Sequence, residues 1–254
     1  MSPRTIVITG ASGGLAQEII GQLPKEDKII LIGRSKEKLE KRYAKASHIS
    51  AIGMDIKDSK AIESVLQTLF SEHGSIDVFI NNAGFGLFKD YNDFTSDEIE
   101  EMFEVNTLAS IHFSRLVAQH MAEQGHGHIL NIISMAGLIA SARSTIYSAT
   151  KFAMIGFSNA LRLELADKGV FVTTVNPGPI ATHFFDLADP SGDYLKSVGK
   201  LTLQPEAVAK KIVSILGKNK RELNLPWLLA VAHKCYTLFP KTSDYLARKV
   251  FNFK

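Results

Sequence analysis

Tyr147 and Lys151 stand four residues apart in a stretch of helical apolar spacing, 144–165, so both side chains leave one face of one helix. A phenol and an ammonium placed together suit proton exchange with an alcohol or carbonyl oxygen. Free tyrosine, with a pKa of about 10, is too weak an acid to do this readily near neutrality, and a lysine cation beside it stabilises the phenolate. At about 4 Å and an effective dielectric of about 20 the attraction is on the order of 4 kcal/mol, roughly three pKa units before desolvation subtracts from it. The spacing alone carries little, because Tyr245 and Lys249 repeat it. Position separates the two pairs. Only Tyr147 follows a β-branched run ending in Ser134 and precedes Asn176-Pro177-Gly178. Ser134, at the carboxyl end of a strand, would hold its hydroxyl at the sheet edge where open α/β proteins bind ligands, and could steady a carbonyl or alkoxide oxygen. A cap or turn serine is the competing reading.

A second constellation lies far upstream. Thr9-Gly10-Ala11-Ser12-Gly13-Gly14-Leu15-Ala16 follows the first apolar run and opens a helical one, the place for a nucleotide-binding turn. The backbone at Gly10, Ser12, Gly13, Gly14 and Leu15 is expected to approach a pyrophosphate, held by free amides and the positive end of the helix dipole. Arg34 comes just after the second strand, where an adenosine ribose would rest, and Gly33 before it offers no carboxylate for a free 2′-hydroxyl. A guanidinium there clamps a 2′-phosphate, with Ser35 assisting, so NADP(H) is favoured over NAD(H).

These groups need a frame that brings strand ends to one edge. Short β-branched runs alternate with longer helical segments, the pattern of βαβ units: an α/β, three-layer Rossmann fold with a doubly wound parallel sheet of about seven strands. Strands are expected near 4–9, 28–32, 48–53, 77–81, 128–134, 170–176 and 222–225. Ser35 and Thr95 are plausible helix caps, and Thr95 with Glu98 has capping-box spacing. No boundary interrupts the pattern, so 1–254 is expected to be a single domain with a C-terminal helical extension.

Composition narrows the function classes. Hydrophobic residues at 45% and charged residues at 22% fit a globular protein and neither a disordered chain nor a polytopic membrane protein. A net charge of +3 without a basic stripe does not suggest a nucleic-acid partner, and none is expected. No metal-ligand spacing stands out. The apolar run Ile6-Val7-Ile8 is too short for a signal-peptide core, and Leu225 to Pro240 is broken by His233 and Lys234. The expected location is cytoplasmic, with attachment to a membrane surface as the alternative. The lone Cys235 cannot pair within the chain and is expected to be an inert buried thiol.

Taken together, Thr9-Gly10-x-x-x-Gly14-x-Ala16, Asn81-Asn82-Ala83-Gly84, Asn106, Ser134, Tyr147-x-x-x-Lys151 and Pro177-Gly178 resemble the short-chain dehydrogenase/reductase family, over about residues 4–225. The resemblance implies a ketone or aldehyde interconverted with an alcohol by hydride transfer. Tyr147 is then the acid/base, Ser134 orients the substrate oxygen, Lys151 contacts the nicotinamide ribose and lowers the Tyr147 pKa, and Asn106 holds a water in the proton relay; a satisfied helix-kink asparagine is the other reading. It also implies that Asp55 and Ile56 flank adenine, that Asn81, Ala83 and Gly84 line the nucleotide with Asn82 mainly structural, and that Pro177, Gly178, Ile180 and Thr182 approach the nicotinamide. Ala16 stands where the family turn has its third glycine, a change the fingerprint tolerates. Gly13 stands where some NADP-dependent members carry a basic residue, so cofactor preference rests on Arg34. The same resemblance implies a homo-oligomer, a dimer or tetramer, through the helical stretches 95–122 and 144–165.

Residues 183–200, with Phe184, Phe185, Leu187 and Tyr194, are expected to form a substrate lid for a small apolar carbonyl or alcohol. The extension 226–254 is apolar on more than one helical face. Cover by the substrate pocket or a partner subunit is the leading expectation; peripheral membrane contact, with Trp227 and Tyr236 at headgroup depth and Lys234, Lys241, Arg248 and Lys249 on anionic lipid, is the alternative. A catalytically silent nucleotide-sensing or membrane-associated scaffold is the rival function; the intact Ser134, Tyr147, Lys151 and Asn106 set argues against it.

Overall fold

A computed structural model describes residues 3–192 and 199–250. Residues 193–198 of the expected lid, Tyr194 among them, lie outside the described residues, as do 251–254 and the side chains of Lys200 and 246–250.

Strand β1 (Thr5–Thr9) is wholly buried, and its alternation sends Ile6 and Ile8 to one face of the sheet and Val7 to the other. Around it lie β2 (Lys28–Gly33), β3 (Ile49–Gly53), β4 (Val78–Asn81), β5 (Gly127–Ile132), β6 (Val170–Pro177) and β7 (Glu222–Leu225), in the order β3-β2-β1-β4-β5-β6-β7. Every pairing is parallel. The chain winds outward from β1 in one direction through β3, then returns to place β4 on the other side of β1. That reversal leaves a crevice at the carboxyl ends of β1 and β4, where open α/β sheets bind ligands.

Helices cover both faces, as continuous apolar strands require. On the Ile6 and Ile8 side, α1 (Gly14–Gln22), α2 (Lys36–Tyr43) and α8 (Pro205–Ile215) contribute Ile19, Leu39 and Ile212 to one core. On the Val7 side, α3 (Ser59–His73), α5 (Ala109–Gln124) and α6 (Thr145–Glu164) contribute Leu66, Phe113 and Leu161 to the second. Helix α4 (Ser96–Phe103) starts at Thr95, where both bonds of the capping box form. It passes into α5 through a π-helical turn, Glu104–Leu108. After β6 come the short α7 (Phe184–Ala188), then α8 and β7, and finally α9 (Trp227–Leu238) and α10 (Pro240–Val250). No helix among the described residues is long and apolar enough to cross a membrane.

The expected strands are all present. Strand β5 ends two residues before Ser134, because Ile133 donates its last sheet bond to Val175 and the chain then enters a 3-10 turn, Met135–Gly137.

Candidate active site

The carboxyl edge of the sheet opens into a cavity of about 970 Å³ that runs from Arg34 past the glycine turn to Tyr147 and on to Tyr236 of α9. Its floor near β1 is made by the turn. Gly10 has φ +63°, and a Cβ there would lie 2.6 Å from Ala83 Cα, so no other residue fits. Thr9 fixes this contact: its Oγ1 accepts from the amides of Asn82 and Ala83 at 3.0 and 3.1 Å, while Asn82 Nδ2 donates to the carbonyls of Thr9 and Gly10 at 3.2 Å each. Helix α1 then starts at Gly14 with no side chain capping it. Its first-turn amides and dipole are left to an anion in the cavity.

Of the expected nucleotide residues, Gly10, Ser12, Gly13, Gly14 and Leu15 line the cavity, as do Asp55, Ile56, Ala83 and Gly84. Pro177, Gly178, Ile180 and Thr182 line it from the β6 side. Arg34 is exposed on its rim and makes no hydrogen bond or ion pair with another described residue. Three residues fall elsewhere. Ser35 is the cap of α2, its hydroxyl accepting from Lys38 N at 3.3 Å, and it is not among the residues that line the cavity. Asn81 ends β4 facing the helices, not the edge: its Nδ2 donates to Ser114 and Asn131, and Asn131 donates to Ser158. This buried ladder joins β4 and β5 to α5 and α6. Asn106 is also off the wall, since its Oδ1 accepts from Phe85 N at 2.9 Å and its Nδ2 donates to Phe85 O and to Thr150 Oγ1. The side chain takes the helix-kink role; Thr150 in turn bonds the Tyr147 carbonyl. Asn106 thus ties α6 to the Phe85 backbone, and its Oδ1, which accepts one bond, keeps a second lone pair.

Tyr147 and Lys151 occupy consecutive turns of α6, 7% and 5% exposed, and both line the cavity. Lys151 Nζ is 5.6 Å from the centre of the Tyr147 ring. The ammonium has no carboxylate partner among the described residues, and burial pulls its pKa from 10.5 down to about 8, which leaves it charged at neutral pH. Ser134 lines the same wall; its Oγ accepts from Ala136 N at 3.0 Å and reaches Pro177 O at 3.5 Å, so the turn role and a place at the site coexist. The 3-10 turn after Ser134 packs directly on α6: a Cβ at Gly137 would meet Lys151 O at 2.8 Å. Tyr245, whose spacing to Lys249 repeats the motif, is exposed on α10 and is not among the residues that line the cavity.

The remaining wall is apolar. Phe88 and Phe184 stand 5.6 and 5.8 Å from the Tyr147 ring, centre to centre. Leu229, Ala232 and Tyr236 of α9 close the far side, so the extension covers the pocket with one face. Phe88 was not anticipated, because nothing in Gly84-Phe85-Gly86-Leu87-Phe88 has strand or helix periodicity. Lys57 also lines the cavity, with Glu101 and Glu104 each 3.9 Å from its Nζ. Cys235, expected to be buried, is exposed beside the cavity because α9 lies on the surface.

Comparison with known proteins agrees with this architecture. The chain is similar to an uncharacterised oxidoreductase of Staphylococcus aureus, 30% identical over 87% of the chain and 94% of the relative. It is 32% identical to a ketoacyl reductase of Nostoc, over 87% of the chain and 77% of that protein. Among solved structures, a closed form of serine dehydrogenase complexed with NADP+ superposes with a TM-score of 0.78 at 29% identity, covering 87% of this chain and 94% of that one. The family model for short chain dehydrogenases matches residues 4–190, and with this sheet order and this site the chain belongs to the short-chain dehydrogenase family.

Proposed function

We propose that the protein is an NADP(H)-dependent oxidoreductase that interconverts a ketone or aldehyde and the corresponding alcohol, with an apolar substrate. The observation that carries this reading is the buried Lys151 ammonium, without a carboxylate partner among the described residues, in the same cavity as Tyr147 and Ser134. A structural lysine so buried would be paired. An ammonium kept at a cavity wall beside a phenol has a use for its charge: it favours the phenolate, so that Tyr147 can give a proton to a carbonyl oxygen and recover it from an alcohol. Ser134 steadies that oxygen.

The cavity fits a dinucleotide on its own geometry. The close approach at Gly10 and the uncapped amides of α1 suit a pyrophosphate, and Arg34, without an ion-pair partner among the described residues, suits a 2′-phosphate. When bound, the nicotinamide supplies or accepts the hydride. The NADP+ in the serine dehydrogenase complex supports the choice, although another structure of this fold, at 20% identity, is a complex with NADH; the preference therefore rests on Arg34. The aromatic wall of Phe88 and Phe184, with Leu229 of α9, excludes water and favours an apolar substrate. Leu108, Phe152 and Leu163, exposed at the start of α5 and along α6, support a homo-oligomer formed through these helices.

The test is NADPH oxidation against a panel of apolar ketones and aldehydes. Tyr147→Phe is expected to abolish turnover and leave NADPH binding intact; turnover retained by this variant rejects Tyr147 as the acid.

A further inference from the structure

Helix α9 has two working faces. Leu229, Ala232 and Tyr236 face the cavity, and His233 Nδ1 lies 3.1 Å from Leu138 O, which fixes the helix against the body. The opposite face is apolar and bare: Trp227, Val231 and Leu238 follow one another along it, and Phe239 extends it, with exposures of 73, 47, 70 and 62%. No residue of α9 is buried. Of the eleven exposed large hydrophobic residues among the described ones, six lie between Trp227 and Tyr245.

Charge decides what covers this face. Residues 226–254 hold five lysines and arginines and a single acid, Asp244, so the tail carries +4 and residues 1–225 carry −1 of the net +3. Lys234 is exposed on α9 beside the apolar strip, and Lys241 is exposed at the start of α10. A second copy seated on this face would bring two such cationic strips together, at a cost in repulsion. An anionic lipid surface takes both features at once, since the apolar side chains enter the acyl boundary while the cations stay among the headgroups.

We propose that α9 and α10 dock the protein on an anionic lipid surface, with the outer face of α9 laid into the interface. The same helix then has lipid on one side and the cavity on the other.

Trp227 is the only tryptophan in the chain, so its emission reports on this face alone. Full-length protein is titrated with vesicles of phosphatidylcholine, and with vesicles containing about one third phosphatidylglycerol. The expected result is a blue shift with the anionic vesicles, little with the neutral ones, and reversal by added salt. Lys234→Gln with Lys241→Gln should weaken partitioning roughly 25-fold, about five-fold per charge, and Val231→Asp should weaken it at least ten-fold. Melting temperature and NADPH binding serve as controls, and both should match the parent protein because these side chains do not line the cavity. An unchanged Trp227 emission at all lipid concentrations overturns the proposal. So does equal binding to neutral and anionic vesicles, or indifference to both variants. A blue shift that grows with protein concentration in the absence of lipid, with a dimer in sedimentation, assigns the face to a second copy instead. None of these readouts needs turnover, so the docking proposal and the oxidoreductase reading fail independently.

Discussion

Replacing Lys151 by methionine keeps the unbranched stem and removes only the buried ammonium. Burial lowers the lysine pKa from 10.5 to about 8, and at about 1.4 kcal/mol per pH unit this amounts to about 3 kcal/mol spent on keeping the charge. The unfolded chain holds this proton up to pH 10.5 and the folded chain releases it near 8. Between those values the unfolded state binds more protons, so stability rises with pH through the window; below pH 8 the whole cost is present. Lys151→Met is therefore expected to be about 3 kcal/mol more stable than the parent at neutral pH, with the advantage shrinking to nothing as pH approaches 10.5. For a chain of this size that is roughly 6–12 °C in melting temperature. Turnover should be lost in the same variant. The assay is urea unfolding followed by circular dichroism at neutral pH and at about pH 9.5, because the difference between the two proteins cancels the other titrating groups. A variant no more stable than the parent at neutral pH, or a gap that does not narrow on the alkaline side, would refute the reasoning. Such a result would mean that Lys151 is held by partners that compensate its burial.

Other perturbations reach other parts of the molecule. Arg34→Ala removes a guanidinium with no other described partner and should weaken NADPH at least ten-fold while changing NADH by about two-fold or less; equal losses in a fluorescence titration would undo its assignment to the 2′-phosphate. His128 is buried between Thr173 Oγ1 at 2.8 Å and Gly217 N at 3.0 Å, an arrangement that keeps Nδ1 as acceptor and the ring neutral. Burial holds its pKa down at about 4 against an ordinary 6.5, so stability should fall by about 3 kcal/mol as pH drops from 6.5 to 4. In proton NMR its ring resonances should not titrate above about pH 5, and an ordinary titration near 6.5 would contradict the buried neutral ring. Gly137→Ala places a methyl 2.8 Å from Lys151 O, which should cost about 1–3 kcal/mol and slow turnover by moving Ser134 relative to α6; an unchanged melt would show that the contact relaxes freely.

The sheet was legible in the sequence because its strands are buried on both faces, and runs such as Ile6-Val7-Ile8 and Lys28 to Ile32 leave little alternative. The glycine turn, Tyr147 and Lys151 were legible for a related reason: their chemistry is tied to a place next to a strand or along a helix. What escaped was direction. Asn81 and Ala83 are two residues apart, yet the strand sends the Asn81 amide into the helix layer while Ala83 reaches the cavity. Asn106 lies beside the site as its motif implies, but the motif does not reveal that its amide bonds the Phe85 backbone on two sides and Thr150 besides. The extension showed apolar character all round, which announces a need for cover without saying which face finds it. The same all-round apolar character conceals that Cys235 lies exposed on α9.

The clasp between Thr9 and the Asn82-Ala83 segment makes the phosphate-binding turn a non-local structure. Its shape depends on residues 73 and 74 positions further along the chain, which arrive only after three βα units have formed and β4 has paired with β1. Parallel pairings with such long excursions are slow to form. During refolding, helical signal should therefore return before the capacity to bind a nucleotide. A fragment ending before Val78 would carry every glycine of the turn and still lack the surface against which Gly10 is pressed.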